Sequence, residues 1–89
     1  MKLKYEFISN EITDKTIAFT IGEDSKNYHS LLKMNHTGAS IFSKLQTDIS
    51  EDELIAQMKK EYPDETDDTV REVVTGFVNK LKNEGLITD

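Results

Sequence analysis

The chain has 89 residues, 36% of them hydrophobic and 31% charged, with no cysteine and a formal net charge of −6. That length supports one modest hydrophobic core in one domain spanning residues 1–89. The missing thiols exclude a disulfide framework and a thiolate metal site, and the acidic balance disfavours a sequence-independent binder of nucleic acid, which needs a basic face.

Residues 1 to 35 alternate with the period of strands. Phe7 and Ile12 mark a first strand near Phe7–Thr13, interrupted by Ser9-Asn10. A second strand, near Thr16–Ile21, puts Ile17, Phe19 and Ile21 on one face and Ala18 and Thr20 on the other. Gly22-Glu23-Asp24-Ser25-Lys26-Asn27 is a polar turn, and a third strand follows near Tyr28–Met34. Three short antiparallel strands in a meander are expected.

The second half is helical. Asn35 is placed to cap a short helix, His36–Leu45, with Ile41, Phe42 and Leu45 on one face. Ser50-Glu51-Asp52-Glu53 has the form of a capping box, and Ile49 and Leu54 have the spacing of a hydrophobic staple. The helix Glu51–Tyr62 carries Leu54, Ile55, Met58 and Tyr62 on one stripe and stops at Pro63. Asp64, Glu65, Asp67 and Asp68 sit where acids favour the dipole of the next helix, Asp67–Glu84. Its stripe is Val70, Val74, Phe77 and Leu81, with Phe77 at the centre of the expected core. Gly85 is placed for a left-handed C-terminal cap, with Leu86 folding back on the last turn. Strands followed by helices make an α+β fold, in which three helices cover one face of a three-stranded antiparallel sheet.

Little here carries reaction chemistry. His29 and His36 are the two histidines, too few for a zinc site without cysteine, and read as surface residues. The acids at 64–68 lack the spacing of a calcium loop and read as a solvated helix start. Gly22 and Gly38 belong to no phosphate-cradling motif, and Asn35 and Thr37 read as cap and first-turn residues. No nucleophile, metal set or cofactor motif appears, so a non-catalytic protein without cofactor or metal is expected. The start of the chain lacks the apolar run of a signal peptide, and no stretch is long enough to span a bilayer; the expected setting is cytoplasmic, with no membrane partner.

Three segments resemble the PqqD-like family. In Leu32-Lys33-Met34-Asn35-His36-Thr37-Gly38-Ala39-Ser40-Ile41-Phe42, a strand ends and Thr, a small residue and an aliphatic–aromatic pair follow. Ile49 to Tyr62 is similar to the family's second helix. Val74-Thr75-Gly76-Phe77-Val78-Asn79-Lys80-Leu81, with Gly85-Leu86-Ile87, is similar to its last helix and ending. The resemblance covers roughly residues 28 to 87. Met34 departs from the commoner Leu, and Val73 stands where the family often has Asp.

The resemblance implies a winged-helix-like recognition element that holds the leader of a ribosomally synthesised precursor peptide for a modifying enzyme, radical-SAM maturases being frequent partners. The leader adds as a strand beside the third strand and against the last helix. Physical reasoning supports that mode independently: an edge strand offers unpaired N–H and C=O groups to an extended peptide, and a neighbouring helix makes the edge a groove. The expected peptide-binding residues are Ser30, Leu31, Leu32 and Lys33 on the strand, with Val74 on the last helix. Arg71, Thr75, Val78 and Lys82 lie on one shoulder of that helix, and Val73, Gly76 and Lys80 on the other; the Arg71 shoulder is assigned to the groove. A monomer or weak dimer is expected. The alternatives are a winged-helix DNA-binding or transcription-regulating domain and an adaptor that binds a folded protein surface. Duplex binding without peptide binding would mark the first.

Overall fold

The computed structural model describes residues 1–26, 28 and 31–88, save the side chain of residue 23. In chain order the elements are β1 (Lys2–Leu3), β2 (Phe7–Ile12), β3 (Lys15–Thr20), a 3-10 turn (Gly22–Lys26), β4 (Leu32–Asn35), α1 (His36–Lys44), α2 (Glu51–Glu61), α3 (Asp67–Asn83) and β5 (Ile87–Thr88). The main sheet is antiparallel in the order β2-β3-β4, and the three helices follow it. This is the expected α+β architecture.

Local chemistry accounts for most boundaries. The Asn35 side chain accepts the Gly38 N–H at 2.8 Å and opens α1 where β4 ends. Ser50 accepts the Glu53 N–H at 3.1 Å, and its hydroxyl meets the Glu53 carboxylate at 3.4 Å. Thr66 caps α3 in the same way through the Thr69 N–H, at 3.1 Å. The end of α3 is a Schellman motif: Gly85 takes φ 73°, its N–H reaches the Lys82 carbonyl at 3.0 Å, and the Leu86 N–H reaches Leu81 at 3.0 Å.

Three features depart from the sequence expectations. The third strand begins at Leu32 rather than Tyr28. The Tyr28 N–H goes to the Asp24 carbonyl at 3.1 Å, and its ring stacks on Tyr5 and meets Phe7 edge-on, so local turn and aromatic contacts replace pairing with β3. A second sheet, β1 with β5, joins the two ends of the chain. Strands of two residues carry no periodic signal. They are held by long-range bonds, Leu3 N–H to Leu45 at 2.8 Å and Lys4 N–H to Leu86 at 2.7 Å, and by the Met1 ammonium on Asp48 (2.8 Å) and on the Ile49 carbonyl (2.9 Å).

The third departure is the rotation of α3. Its buried stripe is Val70, Val74, Val78 and Leu81, and Phe77 is only half-buried at the margin of the core. The reason lies in α1: Gly38 is so close that a Cβ there would meet the Phe77 ring at 2.9 Å and Met34 Cβ at 3.3 Å. The ring covers this glycine at the start of α1, while the smaller Val78 fills the interior. Around it Ile41, Leu45, Leu54, Met58 and Leu86 are also fully buried.

The sheet turns its less apolar face inward. Thr16, Ala18 and Thr20 lie under the helices with Phe7, Leu32 and Met34, while Ile17 and Phe19 point away. Close packing favours small groups here: Ala18 is fully buried, and Phe7 meets Phe42 edge-to-face at 5.1 Å. The Thr20 hydroxyl is satisfied by the Tyr28 carbonyl at 2.7 Å. The register Ile12↔Lys15 makes β2 and β3 a hairpin with the two-residue turn Thr13-Asp14. Thr13 takes φ 59°, a left-handed conformation that costs a β-branched residue about 1–2 kcal/mol.

Candidate functional site

The site is built on the free edge of β4. Among the described residues β4 pairs only with β3, through Ala18↔Leu32 to Lys15↔Asn35. In an antiparallel strand alternate residues turn their N–H and C=O groups away from the partner, so two of the four residues of β4 present theirs to the outside. Leu32 and Met34 point toward the helices and are buried; Lys33 and Asn35 are exposed.

Beside that edge lies α3. Phe77 of α3 approaches the end of β4 and the start of α1, where a Cβ on Gly38 would meet both its ring and Met34 Cβ. Leu32, Met34, Val74 and Val78 are buried in the core, and the half-buried Phe77 packs against it. Beyond the start of α1 the surface deepens into an apolar hollow of about 220 Å³, lined by Thr37, Met58, Tyr62, Val70, Val73 and Glu65 among others. Val73 is 45% exposed there. Thr37 donates a hydrogen bond to the Tyr62 hydroxyl at 3.3 Å, which fixes one wall.

The adjoining wall is tied by charge. The Ser40 hydroxyl donates to Glu61, and Lys44 reaches the same carboxylate at 3.3 Å, linking α1 to the end of α2 beside Tyr62. The Ser40 hydrogen bond, then Lys44, hold the Glu61 carboxyl below its usual range. At the other end of the molecule the hydrogen bond and charge of the Met1 ammonium do the same for Asp48. Among the described residues no group of three His, Cys, Asp or Glu side chains could hold a metal ion, and no helix is long and apolar enough to cross a membrane.

The expected site residues separate into groups. Leu31 is 59% exposed just before β4, Leu32 is buried and Lys33 is exposed. Ser30 lies outside the described residues, as does His29. Val74 and Val78 are fully buried and offer no surface to a peptide. Arg71 lines a different hollow, with Asp52, Ile55, Ala56 and Lys59 of α2. Arg71 thus stands beside α2, apart from the hollow at Val73. Helix periodicity carries the half-buried Thr75 and the exposed Lys82 with Arg71, on the side away from Phe77. Phe77 faces Gly38 of α1, and Val73 shares the first hollow with Thr37 of α1.

Val73, Phe77, Thr37 and Tyr62 were not among the residues expected to meet a ligand. One signal pointed to them: Val73 is an exposed apolar residue outside the core stripe of its helix, and such a residue marks either a second packing face or a contact surface.

Comparison with known proteins agrees with the fold. No match was found among curated proteins. A solved structure of TbiB1 in complex with the TbiA(beta) leader peptide superposes with a TM-score of 0.73 at 21% identity, covering 100% of both chains. The family model for coenzyme PQQ synthesis protein D (PqqD) matches residues 21–87, and this chain belongs to the PqqD family.

Proposed function

We propose that this chain is a non-catalytic recognition element that binds the leader of a ribosomally synthesised precursor peptide and presents it to a modifying enzyme. The observation that carries the reading is the edge of β4, unpaired among the described residues, with the apolar hollow at Thr37, Val73 and Tyr62 just beyond its end. An extended leader adds to β4 by main-chain hydrogen bonds, and an apolar side chain enters the hollow. Membership of the PqqD family and the likeness to a leader-bound TbiB1 support this mode. The chain works as a single cytoplasmic domain, and a radical-SAM maturase is one class of enzyme it would serve. A DNA-binding role fits less well, because α3 opens with Asp67 and Asp68, which repel phosphates.

The test is a titration of the isotope-labelled protein with leader peptides of precursors encoded near it, followed by amide NMR. Shifts should concentrate on residues 31–37 and 73–80. Absence of binding to any leader, together with tight binding of duplex DNA, would overturn the reading.

A further inference from the structure

The outer face of the main sheet is an apolar surface that the peptide site does not use. Ile8 pairs with Phe19 across β2 and β3, Ile17 lies beside Lys33, and Ile12 ends the row at the hairpin turn. Ile8 and Ile12 are 43% and 56% exposed. Their side chains, with those of Ile17 and Phe19, point away from the helices, whereas the inner face of β3 is Thr16, Ala18 and Thr20. Burial in the core does not account for this apolar row. At its end Ile12, Thr13, Asp14, Lys15, Ile17 and Lys33 enclose a shallow hollow of about 370 Å³. The left-handed Thr13 holds the turn beside that hollow in a conformation which glycine or asparagine would adopt with less strain, and such strain collects at functional surfaces.

Charge selects the occupant. The chain carries a net charge of −6, yet Lys15 and Lys33 stand on this face, with Asp14 at its rim. A second copy docked face to face would bring the same two lysines and the single Asp14, with no excess of carboxylates to meet them. The complementary surface is apolar with carboxylates around it. Lys33 and the neighbouring Leu31 also place this surface directly behind the β4 edge. We infer that the outer face of the sheet, centred on Ile12, Ile17, Lys15 and Lys33, docks a folded protein bearing an apolar, acid-rimmed patch. Resting on the proposed function, that protein is the modifying enzyme: gripped from behind the strand that holds the leader, it would receive the leader without competing for the groove.

The experiment places a photo-crosslinker at Asn10, the exposed cross-strand neighbour of Ile17, in the cells that make the protein; a crosslinker at the exposed Lys60 of α2 is the control. Crosslinked peptides are mapped by mass spectrometry. The expected result is a crosslink from Asn10, absent from Lys60, to a peptide-modifying enzyme at an apolar segment beside Asp or Glu. It should fall at least tenfold in the I12D/K15E variant, which changes no residue of β4 and whose affinity for a synthetic leader peptide should change less than twofold. Crosslinks only to another copy, only to the precursor peptide, to the same proteins as Lys60, or to nothing would overturn the inference. So would a crosslink that survives I12D/K15E. Failure of the wild-type protein to bind any leader would instead refute the proposed function, and the separate affinity measurement tells the two apart.

Discussion

Replacing Gly38 by alanine tests the placement of α3 through one contact. In an ordinary helix position the change stabilises by roughly 1 kcal/mol, because alanine restricts the unfolded chain and favours helix. Here the new Cβ would lie 2.9 Å from the Phe77 ring, 3.2 Å from the Asn35 carboxamide oxygen that caps α1, and 3.3 Å from Met34 Cβ. Overpacking of this kind costs about 1–3 kcal/mol. Phe77 is half-buried and can yield somewhat; Met34 and the cap cannot move without disturbing β4. The net effect of Gly38→Ala should be a loss of about 1 kcal/mol, which for a domain of this size lowers Tm by roughly 4–8 °C. In a Phe77→Ala background the main obstacle is gone, and the same change should become neutral or stabilise by about 0.5–1 kcal/mol. Thermal unfolding of the four proteins of this cycle, followed by circular dichroism, gives the coupling directly. A rise in Tm for Gly38→Ala alone, or the same shift in both backgrounds, would show that Phe77 does not lie over Gly38 and that the rotation of α3 is wrong.

Val78→Thr should cost about 1–3 kcal/mol in urea unfolding, since it buries a hydroxyl in a fully enclosed site, while Val73→Thr on the exposed shoulder should stay within about 0.5 kcal/mol. Val73→Asp should weaken leader binding at least tenfold by calorimetry without lowering Tm, whereas Arg71→Ala, beside α2, should change it less than twofold. Lys80→Glu should weaken the leader's hold only modestly, because an exposed ion pair contributes roughly 0.2–1 kcal/mol. Asp48 and Glu61 are both held below their ordinary values of 3.8 and 4.5, so each stabilises the fold above those values and loses that contribution as pH falls through its lower folded-state value. Asp48→Asn and Glu61→Gln should therefore flatten the acid side of a Tm–pH profile and leave its slope above pH 6 unchanged.

The helices were legible because their signals are local. Asn35 and Ser50 cap as their spacing required, and Gly85 closes α3 in the left-handed conformation expected of it. The hairpin strands were readable for the same reason, from alternation alone. What local pattern could not supply was the rotation of α3. Phe77 and Val78 are adjacent, both fit an apolar stripe, and the choice between them was made by a glycine 39 positions earlier in the chain. That choice also decides which shoulder of α3 meets α1: Val73 shares a hollow with Thr37, while Arg71 stands beside α2. The inward turn of Thr16, Ala18 and Thr20 was hidden likewise: hydropathy favours Ile17 and Phe19 for the core, but the strand is turned so that Ala18 is fully buried. Strands β1 and β5 exist through contacts between the two ends of the chain, which no window of sequence contains.

Strand addition at β4 is the central claim, and cross-strand NOEs in a leader complex test it most directly. A bound leader should give backbone NOEs to residues 32–35, and alternate amides of β4 should gain protection from hydrogen exchange, as a fourth strand requires. Side-chain NOEs from one apolar leader residue should reach Val73 and Tyr62. A leader that binds with no backbone NOE to β4 and no change in amide protection there would contradict the account.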